Sequence, residues 1–503
     1  MIAKVFSYSL VGLKGFPVEV EVDVNNGLPA LDIVGLADTA VKEAKERVRS
    51  AIKNSGRTMP IKKITANLAP ASVKKEGSFL DLPLAIGVLI ASSQLVCDTK
   101  KIVFIGELSL DGSLRRVNGV LPILISALED GFDTFIIPKG NEKEASFVSG
   151  INVYPASSLT EVVDHLSGLK QLEKLQKREY SLQSLNYNYD SDLSLVKGQK
   201  TAKRALEVAV SGGHNILFVG APGTGKTMLA KCIPTIMPDM TFEEALETTK
   251  IHSVAGLIKE DEGIIYKRPF RSPHHTATTV SLTGGGANIK PGEISLAHNG
   301  VLFLDEMPEY SRSTLESLRQ PLEDCEITIA RANGSVCYPA NFIMCGSINP
   351  CPCGNLGSKD KECTCTPSQI ARYKAKISGP LMDRIDLQVH VDGVMYSELS
   401  DACDGETSKV VRQRVNRTRL IQKKRFEKDN ILTNSDMKEK HIKKYCKLSE
   451  SCEDILKNAY EKLKLSPRAR SRIIKVARTI ADMCLSEDIK PVHMLEAISY
   501  RHS

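Results

Sequence analysis

No stretch of this 503-residue chain is apolar for long enough to cross a bilayer. The longest such run, Leu82 to Ser92, is broken by Pro83 and Gly87, well short of the roughly 20 residues a spanning helix needs. The first residues, Met1-Ile-Ala-Lys-Val-Phe-Ser-Tyr-Ser9, lack the long apolar region and small-residue cleavage site of a secretory signal. Internal repeats are missing too. Neither a membrane-spanning helix nor a repeat solenoid is expected, and the expected location is the cytoplasm. In that reducing setting the 13 cysteines are expected to be thiols or metal ligands, not disulfides.

Composition is ordinary for a soluble globular protein, with 42% hydrophobic and 25% charged residues. The length exceeds what one core can serve, so about two to four domains are expected. Charge is uneven. Residues 401–503 hold 24 Lys and Arg against 15 Asp and Glu, a balance of +9, so the net +7 leaves −2 for residues 1–400. A basic terminal domain suits phosphate backbones; a solvated helical surface would look the same.

Patterning divides the chain. Residues 1–165 alternate short β-like runs (Val18–Val24, Ile102–Ile105, Thr134–Ile137) with helical patterns (Thr39–Ser55, Leu80–Ser92, Val120–Asp130), predicting an α+β domain. Residues 166–192 are polar with little periodicity and read as a linker. Residues 193–400 follow an α/β pattern, and residues 401–503 are almost entirely helical.

The chemistry concentrates in the α/β segment. After the apolar run Asn215–Val219 comes Gly220-Ala221-Pro222-Gly223-Thr224-Gly225-Lys226-Thr227. A glycine-rich turn between strand and helix can wrap nucleotide phosphates with backbone N–H groups. A bare glycine turn is the plainer reading, but the full eight-position match argues against it. A second apolar run, Val301–Leu304, ends in Asp305-Glu306. Two carboxylates at a strand end suit magnesium and water. Lys226 is expected to contact the β- and γ-phosphates, Thr227 and Asp305 to hold Mg²⁺, and Glu306 to polarise the attacking water. A helix is predicted over roughly Ser313–Glu323. Two strands, Glu326–Ala330 and Ser335–Tyr338, follow around a tight hairpin turn signalled by Asn333-Gly334. A third strand, Phe342–Ile348, ends in Asn349, a polar amide suited to sensing a γ-phosphate.

These motifs resemble an AAA+ ATPase of the magnesium-chelatase-like group, and the chain resembles the YifB/ComM family along nearly its whole length. The residues carrying this are Gly220–Thr227, Pro269–His275, Lys290–Glu306 and Ser378–Asp386. The resemblance implies ATP and Mg²⁺ as cofactors, a homo-oligomeric ring (a hexamer), and an all-α lid at 401–503 behind the α/β P-loop core. It implies that Asn349 is the sensor-1 residue, Arg384 a finger reaching a neighbour's γ-phosphate, and Arg468 a sensor-2 arginine, with Arg470 as rival. An Arg384 salt bridge to Asp383 or Asp386, and a plain surface charge at Arg468, stand as alternatives. The hairpin bearing Arg331 and Asn333 resembles the pre-sensor-1 hairpin of ring helicases, where a basic tip tracks nucleic acid; a plain structural hairpin fits as well. His274-His275 suggest pore or interface contacts.

Cys351-Pro-Cys353 and Cys363-Thr-Cys365 put four thiols in fifteen positions just beyond Asn349. They suit a tetrahedral Zn²⁺ site, although Cys-x-Cys is tighter than usual; unligated thiols or a redox-sensitive pair are the alternatives. In the N-terminal domain, Gly106–Arg115 and Phe135–Lys143 resemble the Lon protease proteolytic domain. That chemistry needs a serine nucleophile and a lysine base. Phe79 aligns with the serine, Ser78 being one position off, and Leu121 with the lysine, so a catalytically inactive scaffold is expected. The resemblance as a whole implies a ring motor on single-stranded or branched DNA, a helicase or branch-migration factor linked to competence. The alternatives are an ATPase that remodels a protein partner, as a chelatase does, and an ATP-dependent protease, which Phe79 and Leu121 disfavour.

Overall fold

The computed structural model describes residues 2–36, 38–75, 77–181, 189–286, 289–331, 334–357, 361–393, 405–463 and 465–501. The chain opens on a long antiparallel hairpin of β1 (Ile2–Val11) and β2 (Lys14–Asn25). Alternate residues Val18, Val20 and Val22 are fully buried, the period of two that a sheet with one covered face requires. β3 (Ala30–Val34), β4 (Lys63–Ala69), β5 (Ile102–Phe104), β8 (Thr134–Pro138) and β9 (Asn152–Ala156) complete a mixed sheet in the order β3-β4-β2-β1-β5-β8-β9. A small ribbon of β6 (Glu107–Leu108) and β7 (Leu114–Arg115) sits beside it. Helices Thr39–Asn54, Asp81–Ala91 and Val120–Glu129 cover the sheet. The middle one is buried nearly all round, which accounts for the longest apolar run in the sequence.

The second unit is a five-stranded parallel sheet, β11-β14-β17-β10-β18, made of β10 (Ile216–Val219), β11 (Phe270–Arg271), β14 (Val301–Leu304), β17 (Ile343–Ile348) and β18 (Leu387–His390). Every residue of β10 and β14 is buried, so these strands read as unbroken apolar runs. Two ribbons project from this sheet: β12 (Gly284–Gly285) with β13 (Lys290–Pro291), and β15 (Glu326–Arg331) with β16 (Gly334–Pro339). Five C-terminal helices, Ser408–Phe426, Glu439–Tyr445, Glu450–Leu463, Pro467–Met483 and Pro491–Ser499, share one apolar core with the α/β unit. Val411, Val415, Ile474 and Ala477 pack with Ala205 and Ile216 in it.

The N-terminal unit is docked on the α/β unit by specific bonds. The Gly119 N–H donates to the Ser253 carbonyl at 3.1 Å, and the Ser253 hydroxyl to Glu144 at 2.8 Å. The β1–β2 turn also reaches across: a Cβ at Gly12, whose φ is +63°, would lie 2.3 Å from Val336 of β16. The expected linker is partly laid down on the protein. Leu172 and Leu175 pack on the N-terminal core, and the Tyr180 hydroxyl donates to the Met240 carbonyl at 2.9 Å.

Two expectations need correction. The helix predicted over 313–323 is two short ones, Arg312–Glu316 and Pro321–Asp324. Pro321 has no N–H to continue the ladder and its ring clashes with the carbonyl four residues back. The expected hairpin is present, but its strands run further than 326–330 and 335–338: β15 reaches Arg331, which pairs with Gly334, and β16 ends at Pro339. Asn333 itself lies outside the described residues. Among the described residues no helix is long and apolar enough to cross a membrane.

Candidate active site

The glycine-rich loop leaves the end of β10, where the Gly220 N–H donates to the Ile348 carbonyl of β17 at 3.2 Å. Gly223 and Gly225 take φ values of +79° and +91°, the left-handed region in which only glycine is unstrained. Gly220 is needed for space, since a Cβ there would lie 2.3 Å from the Val391 carbonyl oxygen. Helix Lys226–Lys231 begins directly after the loop.

Lys226 is only 8% exposed. Its ammonium donates to the Gly220 and Ala221 carbonyls at 2.7 and 2.8 Å and to Asn349 Oδ1 at 3.2 Å. Burial lowers its pKa, and the Asp305 and Glu306 carboxylates oppose that shift. The Thr227 hydroxyl donates to Asp305 Oδ2 at 3.0 Å. The other Asp305 oxygen accepts from the Ser347 hydroxyl, which in turn accepts the Glu306 N–H at 3.1 Å. Glu306 turns off the strand with φ +49° and is exposed. The loop, Lys226, Thr227, Asp305 and Asn349 thus converge at the carboxyl ends of three adjacent parallel strands, where open α/β sheets bind ligands. A hydroxyl and a carboxylate side by side are hard oxygen donors suited to Mg²⁺. The lysine and the loop N–H groups suit the phosphates it would bridge. Within the loop the Thr224 hydroxyl donates back to the Ala221 carbonyl at 3.0 Å, and Pro222 is exposed at its crest.

The two arginines lie apart from this centre. Arg384 is 6% exposed, donates to the Pro380 carbonyl at 2.7 Å and pairs with Glu323. Neither Asp383 nor Asp386 takes it; Asp386 is occupied by Arg472 and His214. Arg468 has a 61% exposed side chain and stands 3.9 Å from the same Glu323. The Arg384 hydrogen bond, foremost, holds the Glu323 carboxyl below its usual range. Among the described residues, neither arginine bonds to Lys226, Thr227, Asp305 or Glu306 of its own chain.

The four cysteines come together. Cys351 Sγ lies 3.4 Å from Cys353 and 3.6 Å from Cys363, and all four sulfurs fall within 4.8 Å of one another. The Cys353 N–H donates to Cys365 Sγ at 3.4 Å and the Leu356 N–H to Cys351 Sγ at 3.3 Å. Backbone N–H donors, led by that of Asn355, pull the Cys353 thiol down to about 6. Four thiols at this spacing fit tetrahedral Zn²⁺. The His274 and His275 rings lie 4.1 Å apart, and His274 Nδ1 meets the Thr276 hydroxyl at 2.9 Å. Among the described residues the cysteine cluster is the one group of three or more such side chains placed to hold a metal.

In the N-terminal unit Phe79 and Leu121 are buried in apolar surroundings. The Ser78 hydroxyl donates to Glu107. Sequence reasoning passed over three residues. Ser347, two positions before Asn349, lies in a strand buried on both faces, so alternation did not single it out. Gln199, at φ +54°, bonds the Asp392 carbonyl at 2.5 Å and reaches the Thr224 carbonyl at 3.5 Å. Neither it nor Glu323 carried a local signal.

Comparison with known proteins agrees along the chain. Residues 192–399 match the family described as magnesium chelatase, subunit ChlI; residues 20–141 match subunit ChlI of Mg-chelatase; and residues 405–501 match the ChlI C-terminal family. The chain is 44% identical to competence protein ComM of Haemophilus influenzae, over 99% of this chain and 97% of that protein. It is 43% identical to YifB of Escherichia coli, over 99% and 96%. A more distant likeness, 21% identity over 54% of this chain and 29% of the relative, links it to the DNA replication licensing factor mcm-6 of Caenorhabditis briggsae.

Proposed function

The chain belongs to the YifB/ComM family of magnesium-chelatase-like AAA+ ATPases, and on that footing we propose that it is an ATP-driven ring motor acting on single-stranded or branched DNA. The observation that carries the ATPase half is the pair of hydrogen bonds joining Lys226 to Asn349 and Thr227 to Asp305. Lys226 and the Gly220–Thr227 loop would neutralise the phosphates, and Thr227 and Asp305 would hold a Mg²⁺, which would supply further positive charge there. Ser347 fixes the Asp305 carboxylate and the Glu306 backbone. Glu306 is then free to orient a water, and Asn349 to report whether a γ-phosphate is present. Arg384 and Arg468, gathered on Glu323 within one chain, are read as cations offered to the site of a neighbouring subunit, so that hydrolysis requires assembly. A hexamer is the expected state. The cysteine cluster is read as a structural Zn²⁺ site.

The DNA half rests on kinship: one close relative is named a competence protein and a distant one a replication licensing factor. It is supported by the +9 balance of residues 401–503. The N-terminal unit is read as a Lon-like scaffold without peptidase chemistry, since apolar Phe79 and Leu121 stand where a nucleophile and a base would be needed. The deciding experiment is steady-state ATP turnover with and without single-stranded and four-way-junction DNA. DNA stimulation of about threefold or more is the expected outcome for a nucleic-acid-coupled motor. Turnover indifferent to every DNA, but raised by a protein partner, would favour a chelatase-like remodelling ATPase.

A further inference from the structure

We propose that the four-cysteine loop is a metal-held clamp that fixes the phosphate-binding loop and Asn349 at working distance, so that losing the metal lowers ATP turnover while nucleotide binding persists. This rests on the nucleotide-site reading above. It adds a control element to that site.

The clamp is visible in how the two described arms of one short loop, 351–357 and 361–365, are tied to the catalytic centre. At its start, Cys351 is buried two residues beyond Asn349, whose side chain receives the Lys226 ammonium at 3.2 Å. Three residues further on, Gly354 lies against the phosphate loop with φ +79°, and a Cβ there would come within 2.5 Å of Pro222 Cδ. Only glycine meets both demands. At its end, Thr366 follows Cys365 and caps helix Pro367–Lys374 with a reciprocal pair of bonds to Gln369. Tyr373 of that helix is 8% exposed; burial raises its phenol pKa and the Asn349 backbone beside it opposes that rise. The described arms 349–357 and 361–373 thus meet at the four cysteines, and that is where they are fastened.

Without a metal that fastening consists of weak S–H contacts at 3.4 to 3.6 Å. Four metal–thiolate bonds would instead remove most of the loop's conformational freedom and commit Asn349 and Pro222 to one geometry. Misplacement of a positioning group by about 1 Å can cost on the order of a hundredfold in rate while barely affecting ground-state binding. The groups read above as phosphate ligands, Lys226 and the Gly220–Thr227 loop, lie outside this loop, so its loss should fall on turnover.

The full chain, produced with zinc in the medium, is assayed for zinc by mass spectrometry, for accessible thiols by titration, for affinity toward a fluorescent ATP analogue, and for ATP turnover. We expect about one zinc per chain, with four thiols shielded until a chelator is added. Cys353→Ser with Cys363→Ser should lose the zinc, keep nucleotide affinity within about threefold and lose about tenfold or more in turnover. Gly354→Ala keeps all four cysteines and the zinc but pushes a methyl group at Pro222; it too should lose turnover, and it decides the matter if the double variant does not fold. Zinc-free wild type, a zinc-free variant turning over normally, or a fully active Gly354→Ala would overturn the clamp while leaving the nucleotide reading intact. Zinc-loaded wild type unable to hydrolyse ATP would overturn the nucleotide reading, and the clamp with it.

Discussion

Among the described residues two lysines are buried, Lys226 in the α/β unit and Lys75 in the N-terminal unit, and burial lowers the pKa of both. Their surroundings differ. Lys226 sits among three acceptors, with the Asp305 and Glu306 carboxylates pulling against desolvation and a glycine loop beside it. Among the described residues Lys75 donates to a single carbonyl, that of Pro70, and no carboxylate offsets its desolvation. One amine lies where acidic and phosphate-binding groups converge; the other is an amine left in a wall. A perturbed pKa becomes a sign of function only when such partners accompany it.

Substitution should separate the two lysines sharply. Lys226→Ala removes the cation placed for the phosphates, so ATP turnover should fall by about a hundredfold or more, measured by phosphate release. Ser347→Ala, which removes the hydroxyl that donates to Asp305 and one of the two acceptors of the Glu306 N–H, should cost about tenfold with nucleotide affinity largely kept. Lys75→Met should leave turnover within about twofold, because among the described residues no acidic or glycine-loop group converges on that amine. Its effect belongs to stability. The folded chain holds the Lys75 proton less tightly than the unfolded chain, so wild-type stability should rise with pH between the lowered folded value and the usual 10.5. Lys75→Met should lack that rise and be at least as stable as wild type at neutral pH, as denaturant melts across pH would read. A large loss of turnover in Lys75→Met would erase the contrast.

How much of this could be read from the sequence follows from how local each feature is. The phosphate loop is contiguous, its chemistry written in eight successive residues between a buried strand and a helix. Asp305, Glu306 and Asn349 were legible because apolar runs stop there, and parallel strands that stop together bring their ends together. The cysteine cluster was legible from spacing. Glu323 was not: it lies 61 residues from Arg384, and only the packing of helix Pro321–Asp324 brings the two together. The same stretch misled as a single helix, because apolar periodicity continues across Pro321 while the backbone ladder cannot. Ser347 is a short hydroxyl in a buried strand, where serine is more often a space-filler.

The central claim is that Glu306 orients the water while the loop and Asp305 hold magnesium and the triphosphate. Glu306→Gln keeps the shape and removes the charge. It should bind an ATP analogue with affinity within about threefold of wild type and hydrolyse ATP about a hundredfold or more slowly. Undiminished hydrolysis in Glu306→Gln, or a wild-type chain without affinity for adenine nucleotides, would contradict the account.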